Sequence, residues 1–190
     1  MIREVIVTSR SPGGSAHIAP MGISQRGEHI IIAPFRPSTT LDNLLARRCA
    51  VINYTDDVRV FAGCLTGRRD WPLLPAAEVD VPRLGGALAH TEVELVEVEE
   101  DAVRPRCLCR PVRDLTHAPF RGLNRAKAAV LELAILVSRL DRLPFEKVER
   151  EIEYLRIALD KTAGPKEHEA WGWLMARVEG HRGRTAEASA

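Results

Sequence analysis

The spacing of apolar and polar residues divides the chain into two parts with different periods. Over residues 1–118 the apolar positions recur at every second residue in short runs, which is the period of strands. Residues 2–8 alternate in this way, and Ser11-Pro12-Gly13-Gly14-Ser15 then supplies turn residues. Residues 16–23 and 29–33 predict two more strands around a Gln25-Arg26-Gly27-Glu28 hairpin turn. Residues 49–54 and 58–64 predict another strand pair, joined across Thr55-Asp56-Asp57. In 91–99, Val93, Leu95, Val96 and Val98 alternate with four glutamates, which predicts one solvated face, and 103–112 returns through Glu99-Glu100-Asp101. About seven short strands so closely spaced point to a small barrel or sandwich, and the barrel is the reading preferred here.

One helix interrupts the strands. Ser38-Thr39-Thr40-Leu41-Asp42 has the capping hydroxyls and early acid of a helix start, Leu41, Leu44 and Leu45 form its apolar stripe, and Arg47-Arg48 close it. Residues 68–87 carry Pro72, Pro75, Pro82 and Gly85-Gly86 and predict a long ordered loop over the barrel, of the kind that lids a site. After residue 118 the period becomes helical. Residues 124–140 are apolar nearly all round over 128–137, which predicts burial on more than one side. Residues 145–162 set Val148, Ile152, Leu155 and Leu159 on one stripe and stop at Gly164-Pro165. Pro165 opens a third helix with Trp171, Leu174, Met175 and Val178 inward. The expected organisation is a barrel over 1–118, a helical region over 119–180 packed on it, and a disordered tail over 181–190.

Composition narrows the partners. The chain has 190 residues, and 27 Lys and Arg against 26 Asp and Glu leave a formal charge of +1. That balance argues against nucleic-acid or membrane-surface binding, both of which need a basic excess. The opening MIREVIVTSR lacks the apolar core of a signal peptide. Residues 128–137, the longest apolar stretch, are about half of the ~20 residues that span a membrane. Cys49, Cys64, Cys107 and Cys109 form no disulfide framework. A cytoplasmic protein with reduced thiols is expected.

Few stretches carry chemistry. In Ala33-Pro34-Phe35-Arg36-Pro37-Ser38-Thr39-Thr40 a strand end turns into a helix start bearing three hydroxyls and a guanidinium. Free amides, the helix dipole and the arginine together suit a phosphate. A well-capped helix with a surface arginine accounts for the same residues. Met21-Gly22-Ile23 ends a strand at a glycine that admits a planar ligand, or simply forms a bulge. Asn53 suits a ligand or a neighbouring turn equally. Cys107 and Cys109 share a strand face and read as buried thiols rather than as half of a zinc site. The histidines at 17, 29, 90, 117, 168 and 181 follow no metal-binding pattern, so no metal is expected. GxGxxG, P-loop and GxSxG motifs are absent from the sequence. Arg121, Asn124, Arg125 and Lys127 gather where a helix dipole disfavours cations, and either meet an anion or acidic groups or extend their stems to water.

The order of PMGI, APFRPSTTLDNL, VINYTDD, FAGCL, PFRGLNRAKAAVLE and EIEYLRIALDKTAGP resembles the DUF447 family, whose members look like FMN-binding split barrels of the flavin reductase-like superfamily. RPSTTLDNL and PFRGLNRAKAAVLE are its most specific stretches, and the resemblance runs from about Arg3 to Val178. It implies an α+β protein: a split β-barrel with a C-terminal helical region, forming a homodimer with FMN at the subunit interface. By position, Arg36, Ser38, Thr39 and Thr40 correspond to the segment that holds the FMN phosphate. Met21, Gly22 and Ile23 correspond to the strand facing the isoalloxazine, and Asn53 and Thr55 to a strand end that contacts flavin or ribityl, with Asn43 a weaker candidate. No role transfers to Arg121, Asn124, Arg125 or Lys127. No residue matches a nicotinamide-binding element, and NAD(P)H is a candidate donor only. The resemblance implies a flavoprotein oxidoreductase or flavin reductase, with a non-catalytic flavin-binding or sensing module, acting through partner contacts, as the alternative.

Overall fold

The computed structural model describes residues 1–188 and divides into two compact units. The first comprises residues 1–56 and 70–120, the second residues 57–69 and the described residues from 121 on. Alternation builds the first unit. Strands β1 (Ile2–Arg10), β2 (Ala16–Arg26), β3 (His29–Ile32), β4 (Cys49–Tyr54), β7 (Ala89–Glu99) and β8 (Arg106–Thr116) pair antiparallel in the ring order β1-β2-β3-β8-β7-β4. The ring closes where Ile6 of β1 stands opposite Asn53 of β4. Val5, Val7, Ile23, Ile32, Ala50, Ile52, Val93 and Leu95 point inward together with Cys107 and Cys109, and Leu41 and Leu44 pack against them. Those two leucines come from helix α1 (Thr39–Arg47). The apolar side chains removed from water here supply the main stabilisation, about 2 kcal/mol for each fully buried Val, Leu or Ile.

A strap crosses from β4 to β7. It carries the two-residue strands β5 (Leu73–Leu74) and β6 (Arg83–Leu84), paired as a small hairpin. The Thr8 hydroxyl donates to the Pro82 carbonyl at 2.6 Å, and the Leu84 amide donates to Asn53 Oδ1 at 2.7 Å. Its own Val81, Leu84 and Ala87 are buried. Gly85 is required here: its amide bonds the Pro72 carbonyl at 2.7 Å, and a Cβ would come within 3.0 Å of that oxygen. The expected loop is therefore ordered, pinned to β1 and β4 from below.

The second unit is helical: α2 (Val58–Leu65), α3 (Arg125–Val137), α4 (Phe145–Thr162) and α5 (Pro165–Ala188), with a single 3₁₀ turn at Leu140–Arg142. Ala126, Val130, Leu133, Val148, Ile152, Trp171, Leu174 and Val178 form its core, joined by Val58 and Ala62. Residues 58–64, expected as a strand, are helix α2. This run is buried at almost every position, so period cannot distinguish strand from helix. The cap decides: Asp57 accepts from the Arg59 amide at 3.2 Å and binds the Arg59 guanidinium at 2.7 Å. Helix α5 continues to Ala188, through most of the expected tail, and residues 189–190 lie outside the described residues. Among the described residues no helix is long and apolar enough to cross a membrane.

Asn124 explains part of the basic stretch. Its Oδ1 caps α3 by accepting from the Lys127 amide at 3.0 Å, and its Nδ2 donates to the Thr162 carbonyl at 2.9 Å. Thr162 Oγ1 in turn accepts from the Ala126 amide at 3.0 Å. The N-terminus of α3 thus abuts the C-terminus of α4, whose carbonyl end offsets the dipole penalty on Arg125 and Lys127. Asn124→Ala is expected to cost about 1–2 kcal/mol in urea unfolding, whereas Asn124→Asp, which keeps the cap and loses the bond to Thr162, costs less.

Candidate functional site

The segment between β3 and α1 is fixed from both sides. Ser38 is the N-cap, its backbone extended and its Oγ accepting from the Leu41 amide at 3.3 Å. The amides of Thr39 and Thr40, the first helical residues, have no acceptor within the helix and lie at its positive end. On the other side the Arg36 amide donates to the Val103 carbonyl at 2.8 Å, and Arg104 Nε donates to the Ala33 carbonyl at 2.8 Å. The Arg104 guanidinium sits 5.1 Å from the centre of the Phe35 ring. Asp101 accepts from the amides of Arg104 at 2.7 Å and Val103 at 2.9 Å, which holds its carboxyl below the usual range. The β7–β8 turn is thereby a rigid support for the turn into α1.

A cavity of about 690 Å³ opens beside this support, walled by Gly22, Ile23, Ala33, Glu100, Asp101 and Arg104 among others. Arg26 and Arg106 also line it with Glu99, which is bound to Arg26 in a tight ion pair that lowers the Glu99 pKa. Strand β2 pairs with β1 along its length but with β3 only from Ile23 to Arg26. The edge of β2 at Met21 and Gly22 therefore has no ladder partner opposite β1. Gly22 admits close approach, though from its own chain: a Cβ there would lie 2.9 Å from Ile2 Cγ2 and 3.3 Å from Glu4 Oε1.

The expected residues separate into two groups. Arg36, Ser38, Thr39 and Thr40 gather at one helix terminus, Thr40 buried and Arg36 exposed in an ion pair with Glu100 at 3.0 Å. Gly22 and Ile23 line the cavity, and Met21 packs against the barrel core. Asn43 and Asn53 are committed to the fold. Buried Asn43 donates to Ser9 Oγ at 3.0 Å. Asn53, fully buried, donates to the Ile6 carbonyl at 3.0 Å and accepts from Leu84. Thr55 is half-buried in the turn after β4. Cys107 and Cys109 are buried core thiols, raised by burial to about 11 and about 12, and no metal-binding cluster occurs among the described residues.

One constellation is absent from the sequence reading. Glu92, expected on a solvated face, is fully buried. Its carboxylate accepts from the amides of Ala77 (2.8 Å), Glu78 (2.7 Å) and Val79 (3.0 Å) of the strap. Buried His90 places Nε2 3.2 Å from Glu92 Oε1 and Nδ1 2.8 Å from Nε2 of exposed His117. Burial opposes ionisation of Glu92, but the Ala77 and Glu78 amides, with His90 and the Val79 amide, outweigh it and hold its pKa below the ordinary value. Desolvation, then Arg83 and His90, push the His117 pKa down. The available signal was His90 and Glu92 two residues apart on one strand face. Polarity masked it, since β7 carries three further glutamates, of which Glu94 and Glu97 are exposed.

The chain matches known proteins over both units. Residues 3–118 match the N-terminal domain of DUF447, a family of proteins of unknown function, and residues 124–176 match a second DUF447 segment. No curated protein matches. Among solved structures, an FMN-bound DUF447 protein from Methanosarcina mazei is 21% identical, with a TM-score of 0.80 over 93% of this chain and 94% of that one. The 2-nitrobenzoate 2-nitroreductase of Pseudomonas fluorescens is 23% identical, with a TM-score of 0.54 over 60% of this chain and 64% of that one. A flavoredoxin from Methanosarcina acetivorans is 13% identical, with a TM-score of 0.53 over 61% and 69%. These likenesses are of fold.

Two outcomes test the geometry. Because the folded-state pKa of Glu92 is depressed, its contribution is complete above the unfolded value of about 4.3 and is lost as pH falls through the folded value. Thermal unfolding across that acid range should show a steeper loss for the natural protein than for Glu92→Gln. Asn53→Ala should cost about 3 kcal/mol in urea unfolding, since it leaves the buried Leu84 amide and Ile6 carbonyl without their partner.

Proposed function

The chain belongs to the DUF447 family, and on that premise we propose that it is an FMN-binding flavoprotein, with the phosphate at the N-terminus of α1 and the ring system in the adjoining cavity. One observation carries this reading: the N-terminus of α1, with Ser38, Thr39 and Arg36, is tied by the Arg36–Glu100 ion pair and the Arg36 amide to the β7–β8 turn, whose Glu100, Asp101 and Arg104 wall a cavity of about 690 Å³. That volume lies within the roughly 300–1,000 Å³ of small-molecule sites. A phosphate there replaces Glu100 as the partner of Arg36 and gains the positive end of the helix. Ile23, Ile31 and Ala33 offer apolar wall to a planar ring, and Arg26, Arg104 and Arg106 offer donors to its polar edge. The unpaired edge of β2 at Met21 and Gly22 presents backbone groups of the kind that polarise a flavin. The FMN-bound family protein from Methanosarcina mazei supports the same cofactor.

Bound FMN supplies hydride or electron transfer, and the chain's own residues bind and orient it. No side chain of the cavity is assigned as an acid or base. The reading extends to an oxidoreductase and to a homodimer in which a second copy covers Phe35 and Val103, which are 54% and 60% exposed beside the site. A solution mass of two protomers is the expected outcome, and a mass of one overturns that assembly.

Visible absorbance of the purified protein, with mass identification of the released cofactor, tests the reading directly. Flavin bands with FMN released are expected, and a colourless protein that gains no thermal stability from added FMN overturns it. Flavin bands that neither NADH nor NADPH bleaches would reduce the reading to a non-catalytic flavin-binding module. Arg36→Ala combined with Thr39→Ala should weaken FMN by about 3 kcal/mol, more than a hundredfold in Kd, and riboflavin much less. Equal losses for the two ligands would move the phosphate elsewhere.

A further inference from the structure

The β7–β8 hairpin has a second chemical end. His90 lies nine residues before Glu99 on the same strand, about 30 Å from the cavity along the hairpin. Glu92 accepts three strap amides and is ionised, so it acts only as an acceptor. His90 therefore donates from Nε2 to Glu92 and, in the tautomer we assign to it, carries a lone pair on Nδ1. His117 then donates from Nε2 to that lone pair, which leaves its own lone pair on Nδ1 of an exposed ring. The two ring planes are nearly parallel, at 7°, with centroids 5.0 Å apart, a separation that accommodates an N–H···N bond between them. A buried carboxylate, a buried imidazole and an exposed imidazole thus stand in series, each oriented by the one behind it.

Pinning the strap does not require this series. The carboxylate alone satisfies the three amides, and His90 with His117 adds a polar path from that buried charge to the surface. We propose that Glu92, His90 and His117 form a proton-accepting relay, in which His117 Nδ1 acts as a general base toward a small anionic acid held by Arg83. When Nδ1 takes the proton, the substrate's X–H bond breaks and its electron pair stays on X. The proton on His117 Nε2 passes to His90 Nδ1, and the positive charge comes to rest beside ionised Glu92. Arg83 of β6 belongs to the strap, whose last residue, Leu88, accepts from the His117 amide at 2.7 Å, so its charge acts on the His117 ring and attracts an anion to the same side of the barrel. The other ionised groups around the relay are Glu78 on the strap and the Arg113 with which it pairs at 3.7 Å, and Asp114 on β8, which accepts from the Thr91 hydroxyl.

Diethyl pyrocarbonate, which acylates the imidazole lone pair, tests the relay on the full chain. Mass spectrometry resolves the modified histidines, and His168, exposed on α5, is the internal reference. His117 is expected to react about tenfold faster than His168, and His90→Asn to abolish that advantage. Equal rates in the natural protein, or an advantage that persists in His90→Asn, overturns the relay. Inorganic phosphate should slow His117 and not His168, with Arg83→Ala removing the protection; an absence of protection overturns the anionic class of substrate. A further readout needs no variant. Nitrogen NMR of the natural protein should show His117 protonated at Nε2 and bare at Nδ1, and the opposite tautomer overturns the proposal whatever the acylation rates.

Discussion

Three buried polar side chains hold the barrel's strap in place, and much of the first unit depends on them. Thr8, Asn53 and Glu92 rise from three neighbouring strands of the ring, β1, β4 and β7, and each meets a backbone group of residues 77–84. An uncompensated polar group at any of these positions costs about 1–3 kcal/mol. In their absence the strap's own amides at Ala77, Glu78, Val79 and buried Leu84 would lose their acceptors. The strap in turn covers the end of the barrel with Val81, Leu84 and Ala87. Polar satisfaction and apolar burial support one another here, which is why a proline-rich segment is ordered without long strands of its own.

The other end of the hairpin is organised by charge. The turn from β7 to β8 carries Glu99, Glu100 and Asp101, and each is answered: Arg26 binds Glu99, Arg36 binds Glu100, and two backbone amides bind Asp101. These are mostly exposed pairs and add little stability singly. Their effect is positional, since they set the turn before α1 against a rigid support. A helix N-terminus binds an anion well only if its amides do not have to be gathered first, and the contacts of Ser38, Arg36 and Arg104 gather them in advance.

Period and punctuation made most of the fold legible. The strands β1 to β4, the helix α1 and the strands β7 and β8 all follow from alternation and cap chemistry. Residues 145–162 were delimited by a one-sided stripe ahead of Gly164-Pro165. Legibility failed where burial was complete. In residues 58–64 both faces are covered, so period carries no information and the capping role of Asp57 outweighs β-branched Val58 and Val60. Glu92 defeated the reading for the converse reason: a glutamate among glutamates reads as solvated, and the three amides that make its burial tolerable belong to residues about fifteen positions earlier. Asn43 and Asn53 look like ligand groups in sequence because a buried asparagine satisfied by the fold has the same letter as one awaiting a ligand. The helix-start cluster at 36–40 was legible because caps and phosphate sites draw on the same local geometry.

The hairpin β7–β8 joins two regions of opposite character. At its turn, exposed ion pairs surround an open cavity, where solvent screens the charges and a ligand phosphate exchanges with Glu100 at small cost. At its base, Glu92 and His90 are cut off from water, so a charge on one is felt strongly by the other. The register shifts in the hairpin, between Glu92 and Val93 and between Leu95 and Glu97, fall between these regions. The shift at Leu95 and Glu97 turns Val96 outward, while the shift at Glu92 falls where β7 passes from solvated glutamates to a buried one. The bulges therefore let a single pair of strands serve a solvated site at one end and a dry one at the other. Substitutions at the two ends share no partner and lie far enough apart to act additively.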